Sequence, residues 1–189
     1  MKRISYNFYS ALIVLMLLFT SANVSAQDRD MLMDMEKREV IQTDAMDAKA
    51  AFKRANPELE NMLNEAAGYA IFPNVGKGAW ILGGAAGNGI VYENGEVAGY
   101  AELRQIDIGF QFGGKAFREL IVFQTQEALD TFKEGNFEFG GSASAVIWDE
   151  GAGEALTFEN GAGVAIMPKA GLMAGISVGG QEFDYRAVE

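Results

Sequence analysis

The sequence predicts an α+β protein: N-terminal helices followed by a mostly antiparallel, Gly-rich β-sheet or barrel-like domain with one inserted helix. All 23 glycines of the 189-residue chain lie at or after Gly68. The apolar residues have helical spacing before this position and alternate after it, which indicates a change from helix to strand. We therefore expect a cleaved segment over residues 1–26, a helical lead over 27–67 and a β domain over 68–189, with 27–189 as one folding unit.

Residues 1–26 have the pattern of a secretory signal peptide. Lys2 and Arg3 precede an apolar run over residues 11–19, and the small residues Val24-Ser25-Ala26 provide a cleavage site. The nine apolar residues are too few for the roughly 20 that a transmembrane helix needs. The expected location is therefore the periplasm, with membrane association or secretion as alternatives. Cleavage removes two of the 15 basic residues and none of the 26 acidic ones, which leaves a net charge of −13.

The helical lead contains two predicted helices. In the first helix, apolar residues are spaced four, three, four and three apart, which gives one apolar face. They are Ile41, Ala45, Ala48, Phe52 and Ala55. In the second, Asn56 is the expected N-cap, Pro57 takes the first helical position, and the helix ends near Gly68.

The remaining chain is predicted to be mostly strand. Residues 106–112 alternate between apolar and other side chains, as in a half-buried strand. Asn94-Gly95 and Asn160-Gly161 lie between apolar runs and favour tight hairpin turns, so neighbouring strands are expected to be antiparallel. Residues 120–123 form a continuous apolar run typical of a strand buried on both faces. Residues 125–133 then predict one helix, with Thr125 as its cap and three residues turned inward. Those residues are Ala128, Leu129 and Phe132.

Composition excludes several classes of function. A net charge of −11 argues against nucleic acid as a partner. The absence of His and Cys removes thiol nucleophiles, imidazole bases and zinc sites built on sulfur or imidazole. Residues 109–116 have P-loop spacing, but Ala116 stands where a magnesium-binding hydroxyl is required. We therefore predict no catalytic residues, no metal and no cofactor. A hydrolase using Asp107 or Glu102 stays open as an alternative.

Residues 68–89, which read Gly-Tyr-Ala-Ile-Phe-Pro-Asn-Val-Gly-Lys-Gly-Ala-Trp-Ile-Leu-Gly-Gly-Ala-Ala-Gly-Asn-Gly, resemble the opening signature of the SYLF (Ysc84-type) domain. The resemblance continues through residues 109–114, 120–123, 128–132 and 171–175. It implies a non-enzymatic domain that binds lipid, notably phosphoinositide head groups in the eukaryotic members, which work at membranes beside the actin cytoskeleton. For bacterial relatives it implies an exported, lipid-binding protein.

Five residues are candidates for binding a lipid head group. Lys77 and Lys169 lie in short Gly- or Pro-containing turns, where an ammonium beside free backbone N–H groups can hold a phosphate. Both positions commonly carry Lys in the SYLF family. Trp80 marks the apolar region next to them. At position 115 the family pattern has a polar uncharged residue, so Lys115 is a candidate because of its own charge and not because of the family pattern. Arg118, which lies close by in the sequence, is a candidate on the same basis.

Two further features favour an alternative function. A net charge of −13 repels an anionic bilayer, and a basic residue at a membrane surface contributes only about 1 kcal/mol in return. The place where eukaryotic members carry a basic amphipathic segment is taken here by the signal and an acidic helical lead. The alternative is therefore an acidic structural or assembly protein that binds another envelope protein through its surface and its helical lead.

Overall fold

The computed structural model describes residues 35–76, 84–106, 116–135, 145–148, 155–169 and 180–188. The chain divides into two units, Met1–Val40 and Ile41–Glu189. In the first unit the described residues, 35–40, are helical. The second unit contains the sheet and the remaining helical residues. The predicted signal peptide lies outside the described residues and stays a prediction.

Three helices and eight strands are described. The helices are α1 over residues 35–55, α2 over Leu59–Glu65 and α3 over Gln126–Lys133. The strands are β1 (Gly68–Gly76), β2 (Gly84–Glu93), β3 (Glu96–Ile106), β4 (Phe117–Phe123), β5 (Val146–Ile147), β6 (Phe158–Glu159), β7 (Ala162–Pro168) and β8 (Gln181–Ala187).

The eight strands form one sheet with the order β5-β7-β4-β1-β2-β3-β8, and β6 pairs with β7 beside this path. Every pairing is antiparallel except that of β5 with β7, which is parallel. The sheet is strongly curled, since Gln181 of β8 donates a hydrogen bond to Glu119 of β4 although three strands lie between them in the order. The predicted α+β class, with helices first and a mostly antiparallel sheet, is confirmed.

Each face of the sheet carries a hydrophobic core, to which alternate side chains of the strands contribute. One face packs against α1 and α2, and we call it the helical face. Its core includes Ala45, Phe52, Leu59, Ile71, Leu120, Val122 and Trp148. The other face, which we call the inner face, packs against α3 and is enclosed by the curl of the sheet. Its core includes Phe72, Leu103, Ile121, Phe123, Leu129, Phe132 and Phe183.

The two ends of the sheet are built differently. At one end, Asn94-Gly95 joins β2 to β3 and Asn160-Gly161 joins β6 to β7, and all four residues have positive φ. This backbone suits the two-residue turns that these sequences predict, which confirms both hairpins. The connections β1–β2, β3–β4 and β7–β8 all start and finish at the opposite end, which we call the glycine-rich end. The residues that border it include Gly76, Ile106, Phe117, Pro168 and Gln181.

Helix α3 agrees with the prediction, and α2 differs slightly from it. The Thr125 hydroxyl accepts a hydrogen bond from the Ala128 N–H, and the three residues predicted to turn inward are buried. Helix α2 begins at Leu59 rather than at Pro57. The Asn56 side chain still accepts a hydrogen bond, at 3.0 Å from the Glu58 N–H, but it closes a turn before the helix. Strand β3 ends at Ile106, and the rest of the predicted strand over 106–112 lies outside the described residues.

In the described part of the chain, every helix is too short or too polar to cross a bilayer.

Candidate functional site

Lys169 follows β7 directly and lies at the glycine-rich end of the sheet. Its backbone N–H donates to the Ala116 carbonyl at 2.9 Å, which keeps residue 169 in register beside β4. Its side chain extends across β4 toward β1, where Nζ donates a hydrogen bond to Asn74 Oδ1. Ala116, which directly precedes β4, lies opposite Lys169, and its short side chain is compatible with this crossing.

Asn74 connects the Lys169 ammonium to a carboxylate. The pairing of β1 with both neighbouring strands shifts register just before or around this residue, as in a β-bulge, and bulges often re-aim a side chain beside a functional site. Asn74 Nδ2 donates to Asp44 Oδ2 of α1 at 3.2 Å. Asn74 therefore bridges a cation that directly follows β7 and an anion on α1.

Arg118 provides a second cation next to Lys169. It lies on β4 opposite Met167, and its Nη1 is 3.9 Å from the Met167 sulfur. Since Lys169 is two residues beyond Met167, the two basic residues are diagonal neighbours, a relation of about 7–8 Å between backbones that long side chains can bridge. Among the residues that the structure describes, no carboxylate forms an ion pair with Arg118. We call Arg118 and Lys169 the cation pair.

The electrostatics of the cation pair favour an incoming anion. Burial is the largest influence that lowers the pKa of the Lys169 ammonium, and the positive charge of Arg118 lowers it further. Asp44 raises it, but has the smallest effect of the three. A phosphate placed against both cations relieves their repulsion and accepts charge-assisted hydrogen bonds from each.

The structure brings together two of the five predicted site residues, Arg118 and Lys169. Lys77, Trp80 and Lys115 lie outside the described residues, so their part in the site stays a prediction.

Sequence reasoning missed two residues of the site, Asp44 and Asn74. Asp44 is three residues after Ile41 and four before Ala48, which places it at the margin of the apolar face of the first helix. That spacing is the signal that identifies a carboxylate directed toward the sheet. For Asn74, a polar amide within an otherwise buried strand is the corresponding signal. We call Asp44, Asn74 and the cation pair together the polar cluster.

A second polar group, also missed by sequence reasoning, lies on the inner face. Glu119 of β4 is fully buried, and Gln105 of β3 and Gln181 of β8 are 2% exposed. Gln181 Nε2 donates to Glu119 Oε2 at 2.9 Å and lies 3.4 Å from Gln105 Oε1. We call these three side chains the buried triad. The sequence feature that could have identified the triad is Glu119, a carboxylate directly before the apolar run over 120–123, in a strand predicted to be buried on both faces.

Burial raises the pKa of the Glu119 carboxyl to about 8, against the smaller opposing effect of the hydrogen bond from Gln181. The carboxyl is therefore mostly neutral at pH 7. Its Oε1 atom and Gln181 Oε1 have no hydrogen-bond partner in the described ranges. Among the described residues, no second carboxylate faces Glu119 to form the pair that glycoside hydrolysis uses. Of the two acids considered for a hydrolase, Glu102 is in a surface ion pair with Arg104, and Asp107 lies outside the described residues.

Within the six described ranges, no three potential metal ligands come together in one group.

The chain is similar to a known protein family over part of its length. The family model described as Ysc84, Las17-binding protein actin regulator, matches residues 104–188. The matched segment begins within β3 and includes Arg118, Lys169 and the whole buried triad. None of the curated proteins compared with the chain matches it.

Proposed function

The chain belongs to the Ysc84 (SYLF) family through residues 104–188, and from this premise we propose that it is a non-enzymatic domain of the bacterial cell envelope that binds the phosphate of a lipid head group. Export by residues 1–26 delivers it to the periplasm, where it works at or near a membrane surface. The cation pair holds the phosphate, and the polar cluster lies at the end of the sheet from which the Gly-rich connections begin.

The single observation that supports this function most strongly is the cation pair itself. Arg118 on β4 and Lys169 directly after β7 are diagonal neighbours, and no carboxylate of the described residues pairs with Arg118. In a chain with 26 acidic and 15 basic residues, carboxylates to neutralise a guanidinium are plentiful. Arg104 and Arg186, by contrast, each pair with a neighbouring acid. An arginine with no acidic partner in the described ranges, next to a lysine, is suited to a phosphate ligand.

A second candidate function is assembly with another envelope protein. The matching family model is described as a Las17-binding protein, so the partner that its description names is Las17 and not a lipid. The acidic surface of this chain provides a basis for such an interaction. The lipid function is preferred because the cation pair has the chemistry of an anion site, whereas the assembly function does not use it.

The experiment compares two double variants of the full chain, exported and recovered without detergent. Arg118→Gln with Lys169→Gln removes both cations of the pair. Arg104→Gln with Arg186→Gln removes two surface arginines that already have acidic partners, so it changes the net charge equally. Native mass spectrometry with lipid extraction then measures how much phospholipid co-purifies with each protein, and circular dichroism checks the fold.

We expect the unaltered protein and the control to carry lipid, and the cation-pair variant to lose it. A hydrogen bond to a charged group contributes about 1.5–3 kcal/mol, so loss of both cations should weaken binding by at least about a hundredfold. Equal lipid content in all three proteins would refute the site. An unaltered protein without lipid, which takes up none from mixed vesicles and forms a stable complex with another envelope protein, would favour assembly.

A further inference from the structure

We propose that the polar cluster selects a zwitterionic phospholipid with a primary ammonium next to its phosphate, Asp44 binding the ammonium while the cation pair binds the phosphate. This inference rests on the proposed function and specifies its ligand. It differs from the phosphoinositide head group that the family resemblance implies.

The first reason is the position of an acid inside a site for an anion. Asp44 is half-buried, and its Oδ2 atom is held by Asn74 Nδ2. An ionised carboxylate can accept about four hydrogen bonds, so Asp44 can accept from a ligand in addition to the bond from Asn74. A site built for phosphate alone gains nothing from a carboxylate so near to Lys169.

The second reason is the connection between the two charges. Asn74 accepts from Lys169 with its oxygen and donates to Asp44 with its nitrogen. The Asn74 amide thus links the ammonium of Lys169 to the carboxylate of Asp44. A ligand with a phosphate and an ammonium in its head group can bind both sides of this bridge at once.

The third reason is charge balance. Arg118, Lys169 and Asp44 together carry a formal charge of +1, and the mature chain is strongly acidic. A head group with several phosphates brings excess negative charge against Asp44 and against the rest of the protein. A phosphodiester with one ammonium is neutral overall, so it satisfies the cation pair without this repulsion.

The test measures flotation of the full-length, exported protein with three kinds of vesicle. All contain phosphatidylcholine, alone or with an equal mole fraction of phosphatidylethanolamine or of phosphatidylglycerol. Phosphatidylcholine is zwitterionic, but its quaternary nitrogen has no N–H to donate to Asp44. We expect binding to phosphatidylethanolamine vesicles to be at least about tenfold tighter than to either of the others, which corresponds to one additional charge-assisted contact.

The variant Asp44→Asn removes the carboxylate, and Asp47→Asn is the matched control, since Asp47 is exposed on the same helix. We expect Asp44→Asn to lose the tenfold preference for phosphatidylethanolamine over phosphatidylglycerol, whereas Asp47→Asn keeps it. Equal binding to all vesicles, or a preference that Asp44→Asn leaves unchanged, overturns this inference. If lipid binding then still depends on Arg118 and Lys169, the proposed function stands without it. If no vesicle binds and no lipid co-purifies, both fail.

Discussion

Replacing Glu119 by Gln is expected to stabilise the protein in a pH-dependent way. The Glu119 pKa is raised from its ordinary value of 4.5 to about 8 by burial. At a pH below 4.5 this carboxyl is protonated in both the folded and the unfolded chain, and its titration does not oppose folding. As the pH rises from 4.5 through 8, the unfolded chain releases the proton first, so the free energy of unfolding falls.

The size of this effect follows from the shift. One pKa unit corresponds to about 1.36 kcal/mol, so the titration of Glu119 should lower the free energy of unfolding by about 3.5 kcal/mol between pH 5 and pH 8. The Glu119→Gln side chain has nearly the same shape and no charge to acquire. The variant should therefore match the unaltered protein at pH 5 within about 1 kcal/mol and exceed its stability by about 3 kcal/mol or more at pH 8.

The assay is urea unfolding, followed by circular dichroism at pH 5, 6, 7 and 8. Glu159→Gln provides the control, because Glu159 is exposed on β6 and the substitution makes the same change of charge. The control corrects for the general repulsion in an acidic chain, which also grows with pH. If the stabilities of Glu119→Gln and the unaltered protein change in parallel over this range, Glu119 does not titrate as burial requires, and the reasoning is refuted.

Three further predictions concern the helix cap, a close backbone approach and Trp80. Thr125→Ala should lower the free energy of unfolding by about 1 kcal/mol, because it removes the cap of α3. The half-buried Thr131 of the same helix caps nothing, so Thr131→Ala should cost less, and equal losses in chemical denaturation would contradict the role of the cap. Gly87→Ala should destabilise the sheet by about 1–3 kcal/mol and weaken lipid binding, since a Cβ there lies 2.6 Å from the Asn74 carbonyl oxygen. Gly95→Ala meets no atom within 4 Å and is strained only by its φ of +81°, so in the same vesicle assay it should leave binding unchanged. Trp148→Phe leaves Trp80 as the single tryptophan, and its fluorescence should shift to shorter wavelength when lipid vesicles bind; binding without any shift would place Trp80 away from the lipid.

The parts of the fold that could be predicted depend on neighbouring residues. The cap and inward residues of α3 follow from a helical pattern of nine residues, and the Asn-Gly turns follow from backbone that Asn and Gly adopt readily. The same local signals do not give the strand order or the parallel pairing of β5 with β7. Those depend on which distant strands meet, and nothing in residues 145–148 alone specifies a partner.

The candidate site could be predicted only in part, for the same reason. Arg118 and Lys169 were identified by charge and by their surroundings in the sequence. Asn74 is 95 residues from Lys169 and 30 from Asp44, so the bridge between them forms only when β1, β7 and α1 come together. The buried triad has a similar origin, since its hydrogen bond between Gln181 and Glu119 joins residues 62 positions apart.

Arg118 and Glu119 are consecutive in β4 and face opposite sides of the sheet, and this has a consequence for folding. A slip of one residue in the pairing of β4 would exchange the two faces. The guanidinium, which cannot discard its proton, would then enter the inner core, and the carboxyl would lie beside Lys169. Such a slipped state is costly on both faces, so this pair of residues disfavours misaligned pairings of β4 with β1 and β7.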